Sequence, residues 1–88
     1  MAKYDPLFRH LVTEDAAAPV EMTFDDIERL VGPLPASATK YSAWWNNERQ
    51  DTTHVQALAW LNAGREIEFI DRAARRVRFS PGRWRRSS

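Results

Sequence analysis

The sequence contains no cysteine, only two histidines and only three glycines, and these shortages exclude several kinds of site. Without cysteine the chain has no disulfide, no thiolate zinc site and no thiol nucleophile. His10 and His54 are too few and too far apart to indicate a metal site. Three isolated glycines cannot build a phosphate-cradling loop, and no nucleophile has a base at recognisable spacing. We therefore expect no cofactor, no metal and no enzymatic activity.

Long hydrophobic runs are also missing. No stretch of about 18 apolar residues is present, so we expect no membrane span. The first residues lack a basic segment followed by an apolar one, so we expect no signal peptide and a cytoplasmic protein. A chain of 88 residues makes one domain. A domain of this size buries only about 60–65% of its unfolded surface, which makes a homodimer plausible.

Acidic and basic residues are unevenly distributed, although the net charge is only +1. Residues 1–64 hold five Lys/Arg and nine Asp/Glu, whereas residues 65–88 hold eight Arg and three acids. Arginine pairs bidentately with phosphate and with guanine. An acidic body with an arginine-rich end indicates a polyanionic partner.

The first half of the chain has the signals of helix, strand and helix. Asp5-Pro6 and a one-face apolar pattern predict a helix ending near Thr13. The alternation over residues 20–22 predicts a short strand. Thr23 and Asp26 then form a capping box for a second helix, which ends at Gly32.

A third helix is predicted from Ala36 to Asn47, with Tyr41 and Trp45 towards the core and Trp44 on the flank. Its outward face is small and polar and comprises Ala36, Thr39, Lys40, Ala43 and Asn47. Residues 23–47 therefore have the shape of a helix-turn-helix, whose second helix enters the DNA major groove. A fourth helix, residues 54–63, follows; in an alternative reading it is the recognition helix, with Thr53, Gln56 and Trp60 outward.

Two strands with period-two alternation, residues 66–69 and 76–79, predict a C-terminal β-hairpin. The alternation places Phe69 opposite Val77 or Phe79 in the core, and this pairing requires a loop with an odd number of residues. Arginines cluster at the tip, as in the wing of a winged helix: Arg72, Arg75 and Arg76. We predict an α+β, winged-helix-like domain over residues 1–80 and a flexible basic tail over residues 81–88.

Several motifs in the chain resemble those of a small stand-alone bacterial domain family of uncharacterised function. They are Thr23-Phe24-x-x-Ile27-Glu28, Leu34-Pro35-x-Ser37-Ala38, Trp44-Trp45-x-Asn47 and His54-x-Gln56-Ala57-x-Ala59-Trp60-Leu61-x-Ala63-Gly64. The resemblance spans nearly the whole chain and implies a shared pattern that includes Ser37, Trp44, Trp45, Asn46, His54, Gln56 and Trp60. Arg65 departs from this pattern, in which an aromatic residue is expected after Gly64.

The first functional hypothesis is a small transcriptional regulator or nucleoid-type protein that binds double-stranded DNA, as a homodimer. The helix-turn-helix would read the major groove, and the wing would hold the backbone. The predicted DNA-binding residues are Ser37, Thr39, Lys40, Trp44, Asn46, Asn47, Arg49, His54, Gln56, Arg72, Arg75, Arg76, Arg83, Arg85 and Arg86. The alternative is a protein-interaction module, antitoxin-like or an adaptor, anchored by Trp44, Trp60 and Trp84.

Overall fold

A computed structural model describes residues 3–45, 47 and 56–82. Over these residues the chain forms four short helices and a three-stranded antiparallel sheet. Helix α1 (Asp5–Thr13) has the predicted limits and buries Leu7 and Leu11. The strand that follows, β1 (Val20–Thr23), is one residue longer than predicted.

The capping box at the start of α2 (Phe24–Val31) is confirmed. The Thr23 hydroxyl accepts a hydrogen bond from the Asp26 amide, and the Asp26 carboxylate accepts one from the Thr23 amide, both at 3.0 Å. Gly32 ends the helix with φ +89°, a region that favours glycine. Its amide donates to the Glu28 carbonyl at 2.8 Å, so the helix end is satisfied.

The continuous helix predicted from Ala36 to Asn47 is wrong. Helix α3 spans only Ala36–Lys40, because Tyr41 is extended (φ −128°, ψ 127°), and a 3₁₀ segment follows at Ser42–Trp45. This break folds the chain back so that Trp45 enters the core, where its indole N–H donates to the Ala38 carbonyl at 2.8 Å. Tyr41, predicted to face the core, is instead 61% exposed.

The fourth helix, α4 (Ala57–Leu61), occupies the middle of the predicted range 54–63, whose first two residues lie outside the described part of the chain. Trp60 is completely buried and Gln56 is only 5% exposed. The reading in which these two side chains point outward from a recognition helix is therefore wrong.

The sheet contains β1 and two later strands, β2 (Ile67–Asp71) and β3 (Arg76–Phe79), with β3 in the centre. Its inner face consists of two cross-strand rows, Val20–Phe79–Ile67 and Met22–Val77–Ile70. Four residues, 72–75, connect β2 to β3, whereas the sequence predicted an odd number. The prediction fails because a β-bulge between Ile67 and Phe69 shifts the register, so that Phe69 pairs with Arg78.

The core between the sheet and the helices is built around a row of four aromatic rings. Phe24 stacks on Trp45 with centroids 5.0 Å apart, and Trp45 stacks on Trp60 at 5.9 Å. Trp60 then contacts Phe79 of β3 at 5.8 Å, so the row links α2, the 3₁₀ segment, α4 and the sheet. Burial of aromatic rings contributes strongly to core stability, which is important in a chain this short.

Candidate nucleic-acid interface

The C-terminal end of α3 and the turn between β2 and β3 meet at the surface. The Arg72 guanidinium donates to the Lys40 carbonyl at 2.7 Å and to the Thr39 carbonyl at 3.4 Å. All three side chains are exposed. The structure thus brings Arg72 to Thr39 and Lys40, which lie more than thirty positions earlier in the sequence. We call Thr39, Lys40 and Arg72 the α3–turn face.

Local hydrogen bonds hold the turn in place. The Asp71 carboxylate accepts from the Ala74 amide at 3.0 Å, and the Arg75 carbonyl accepts from the Phe24 amide at 2.8 Å. Arg75 adopts φ +59°, which is uncommon for a residue other than glycine. The turn is therefore tied to the start of α2 as well as to α3, and the position of Arg72 is set by two other elements.

The other two predicted wing arginines pair with carboxylates of the same chain. Arg75 lies 3.3 Å from Asp25 and covers the Phe24 ring. Arg76 lies 3.4 Å from Glu21 on β1. Exposed pairs of this kind contribute at most about 1 kcal/mol, but they cancel the charge that a phosphate would meet.

Lys40 and Arg72 differ from these arginines in their surroundings. Over the described ranges, no carboxylate lies within ion-pairing distance of either side chain. The cleft beside Arg72 also includes Asp71, whose carboxylate is held by the turn. Among the residues that the structure describes, the two cations of the α3–turn face therefore have no ion-pair partner.

Asn47 was predicted to contact DNA, but its side-chain oxygen and one N–H of its Nδ2 are bonded inside the fold. Its Oδ1 accepts from the Trp60 indole at 3.0 Å and from the Ile67 amide at 2.8 Å. Its Nδ2 donates to the Ile67 carbonyl at 3.1 Å. The Asn47 side chain thus bonds both the amide and the carbonyl of Ile67, as a neighbouring strand would. Because its Oδ1 already accepts two hydrogen bonds, this side chain is not available to pair with the edge of an adenine base.

Gln56 and Trp44 also have structural partners. The Gln56 side chain is buried, and its amide nitrogen Nε2 donates a hydrogen bond to the Trp44 carbonyl at 2.8 Å. Trp44 is half-buried, with its ring edge-on to Tyr4 and to Trp45 at 6.1 and 4.6 Å. Burial raises the pKa of the Tyr4 hydroxyl. Gln56 thus offers no surface to a nucleic acid, and Trp44 offers only part of its ring.

The remaining predicted contact residues divide into two groups. Ser37 is half-buried on α3, where its carbonyl accepts from the Tyr41 amide at 2.9 Å. Six others lie outside the described residues: Asn46, Arg49, His54, Arg83, Arg85 and Arg86. Trp84 and Thr53 also fall there. Gly82, predicted to belong to the tail, is buried and its amide donates to the Ala16 carbonyl at 2.9 Å.

The structural role of Arg65 was not predicted from the sequence. Its side chain is only 1% exposed, and burial lowers the pKa of the guanidinium. It donates to five backbone carbonyls at 2.9–3.4 Å: Leu11, Glu14, Asp15, Ala18 and Ser80. The Arg65 side chain therefore links the α1–β1 connection to the end of β3 through hydrogen bonds. The only sequence signal was the departure from an aromatic residue after Gly64.

A cavity of about 570 Å³ lies between the start of α1 and α4. It is lined by Lys3, Tyr4, Asp5, Phe8, Leu58, Ala59 and Asn62. In the part of the chain that the structure describes, no group of three His, Asp or Glu side chains could hold a metal ion. Among the same residues, no helix has the length and apolar character needed to cross a membrane.

Comparison with known proteins places the chain in a family but does not supply a function. Residues 4–82 match the family model described as a domain of unknown function, DUF7662. The chain belongs to this family, and the match reaches Gly82, where the described part of the fold also ends. No curated protein and no solved structure matches the chain.

Proposed function

We propose that the protein binds duplex DNA through the α3–turn face, as a small bacterial regulator or nucleoid-type protein. The observation that carries the proposal is the contact of Arg72 with the carbonyls of Thr39 and Lys40. This contact holds the exposed guanidinium of Arg72 against the backbone of Lys40, so that two cationic residues from separate segments are neighbours. It also neutralises the carbonyl end of α3, which would otherwise repel phosphate.

The topology supports the same proposal. The element order is a helix, an edge strand, three further helices and two terminal strands, with the last strand in the centre of the sheet; apart from α4, this order is compatible with a winged helix. In that arrangement the β2–β3 turn is the wing and lies beside a helix of the helix-turn-helix. The fourth helix, between α3 and β2, is an addition to a plain winged helix.

The short length of α3 indicates how the protein would contact DNA. Five residues span about 7.5 Å, which is too short to lie along a major groove and read several bases. Lys40 and Arg72 are instead suited to phosphate groups, whose contacts fix position without reading sequence. We therefore propose binding dominated by the DNA backbone, with little sequence preference.

Fluorescence anisotropy with a labelled random-sequence duplex at several salt concentrations tests this proposal. We expect micromolar binding at low salt that weakens steeply as salt rises. The variant Lys40→Ala/Arg72→Ala should reduce the slope of log K against log salt by about 2, because each lost phosphate contact removes about 0.9. The matched control is Lys3→Ala/Arg9→Ala, which removes the same charge, one lysine and one arginine, from exposed positions just before and on α1.

Two results would refute the proposed face. One is an equal loss of affinity in both double variants, which would show a response to net charge alone. The other is an absence of binding by the wild-type chain at the lowest salt concentration.

Of the three anchors predicted for the protein-interaction alternative, Trp84 lies outside the described residues. Trp60 is completely buried and cannot contact a partner, and Trp44 is half-buried. The aromatic side chains most exposed to solvent in the described residues are Tyr41 and Phe69, at 61% and 57%. Phe69 lies on the outer face of the sheet, well separated in sequence from α3.

A further inference from the structure

The outer face of the sheet carries an exposed aromatic ring among charges of both signs. Its cross-strand register gives two rows, Glu21–Arg78–Phe69 and Thr23–Arg76–Asp71, each ordered from β1 through β3 to β2. Phe69 pairs with Arg78, and Asp71 pairs with Arg76. We call these two rows the outer sheet face.

The bulge in β2 is the reason that Phe69 faces outward. Ile67 pairs with Phe79 in the core, and regular alternation would place Phe69 on the same face as Ile67. The extra residue, Glu68, shifts the register so that Phe69 turns to solvent and Ile70 takes the inner position opposite Val77. The fold thus leaves a large apolar side chain uncovered in a domain with a small core.

Pairing through the edge of β2 is obstructed at its first residue. The Asn47 side chain occupies both the amide and the carbonyl of Ile67, as described above. A strand added along this edge would have to displace these bonds. Strand addition along the β2 edge is consequently obstructed at Ile67, whereas the exposed face of the sheet is open to a partner.

The charges on this face favour a protein over a nucleic acid. Arg76 and Arg78 are accompanied by three carboxylates, those of Glu21, Glu68 and Asp71. Glu21 lies 2.6 Å from Arg78; this contact lowers the pKa of the carboxyl and raises that of the guanidinium. A polyanion would meet at least as many negative as positive groups here. An exposed aromatic ring beside arginines, with a polar rim, is instead typical of a protein interface.

We propose that the outer sheet face binds a second copy of the same chain, with Phe69 at the centre of a two-fold interface. In this dimer the two sheets stack face to face, and the two-fold axis lies between the sheets, parallel to the strands and midway between β2 and β3. This axis places β2 of one protomer over β3 of its partner. Each Phe69 then lies over the partner's Arg78, and each Asp71 lies over the partner's Arg76. Both contacts occur twice, as the symmetry of an isologous dimer requires, and each is attractive: a cation–π contact and an ion pair.

Sedimentation equilibrium of the isolated protein over a range of concentrations tests the interface, without any nucleic acid present. The wild-type chain should dimerise, and Phe69→Ala should weaken the dimer by about thirtyfold, as expected for a central anchor. Tyr41→Ala is the matched control, because it removes an equally exposed aromatic ring from outside this face. It should leave the dimer unchanged. Because Phe69 is exposed, its replacement should not unfold the domain.

A charge exchange tests the register of the two protomers. Asp71→Arg and Arg76→Asp should each abolish self-association, because like charges then face each other across the axis. A mixture of the two variants should form a heterodimer, in which both ion pairs are restored. The chain carrying both substitutions should dimerise again, and its circular dichroism shows whether the exchanged pair is compatible with the fold.

Four outcomes would overturn the proposal. The first is a wild-type chain that stays monomeric up to about 1 mM, and the second is a dimer that Phe69→Ala leaves unchanged. The third is a mixture of folded charge variants that does not associate. The fourth is binding of a single-stranded oligonucleotide that depends on Phe69. The last outcome would assign the ring to base stacking. Because none of these measurements uses duplex DNA, failure of the DNA proposal would leave them unaffected.

Discussion

Replacing Arg65 with methionine should strongly destabilise the fold. Methionine keeps much of the length and apolar contact of the side chain but removes every hydrogen-bond donor. In the folded protein the guanidinium joins the end of α1, the following loop and the end of β3. No other side chain among the described residues makes hydrogen bonds to so many separate backbone segments.

The expected magnitude depends on which of the five carbonyls water can reach after the substitution. Glu14 and Asp15 belong to an exposed loop, so solvent can replace the arginine at these carbonyls. Leu11 is buried, whereas Ala18 and Ser80 are half-buried. An orphaned buried carbonyl costs about 1–3 kcal/mol, and a half-buried one that water partly reaches costs less. The relief from burying a charge offsets part of this loss. We therefore expect the free energy of unfolding to fall by about 2–4 kcal/mol.

Urea denaturation followed by tryptophan fluorescence measures this change, because Trp45 and Trp60 lie in the core. Arg65→Lys should lie between the wild type and Arg65→Met, since an ammonium keeps the charge but cannot reach all three segments. The control is Arg9→Met, on the exposed face of α1, with an expected change within about 0.5 kcal/mol. The reasoning is refuted if Arg65→Met loses less than about 1 kcal/mol, or no more than the control.

Three further predictions concern groups with defined partners. Asn47→Ala should lower the free energy of unfolding, measured by urea denaturation, by about 2–4 kcal/mol, because it leaves the Trp60 indole and the Ile67 peptide without their partner. A loss no larger than that caused by replacing an exposed polar side chain would contradict these hydrogen bonds. Thr23→Ala should cost about 1 kcal/mol in thermal unfolding, whereas Thr23→Ser should retain most of the cap. The Thr23 amide lowers the pKa of Asp26, so the stabilisation by this carboxylate is present above its unfolded pKa and is lost as pH falls through the folded value. The melting temperature should therefore fall below about pH 4, and less steeply in Asp26→Asn; parallel pH profiles for the two proteins would contradict the assignment.

Local patterns in the sequence were sufficient for the elements whose signals lie within a few residues. The limits of α1, the capping box at Thr23 and the glycine end of α2 all depend on interactions between near neighbours. The same is true of the alternation in β3, which correctly placed Val77 and Phe79 in the core. Such signals need no knowledge of the rest of the fold.

Predictions failed where a distant contact outweighed the local pattern. Helical periodicity continued past Lys40, but the chain breaks at Tyr41 so that Trp45 can join Phe24 and Trp60. Period-two alternation placed Phe69 in the core, but the bulge turned it outward. In both cases the packing of large side chains, rather than backbone propensity, decided the structure.

The candidate site was predicted in part, for the same reason. Thr39, Lys40 and Arg72 were identified as exposed polar or basic residues, yet only the fold shows that they are adjacent. The partners of Arg75 and Arg76 could not be inferred, because β1 was not predicted to lie beside β3. Gln56 and Asn47 have polar side chains suited to DNA contact, and their burial or bonding depends on Trp44, Trp60 and Ile67 from other segments.

Residues close together in the chain account for the helix boundaries at Thr23 and Gly32, the alternation of β3 and the arginine-rich C-terminal third, so these features could be read without the fold. Which polar groups are buried and which charges are already paired depends on contacts between distant segments. Arg65 shows the difference most clearly. In the sequence it is one more arginine in a basic segment, but in the fold its environment is set by carbonyls about 50 residues earlier. Burial and pairing are properties of long-range contacts, and a local pattern carries no information about them.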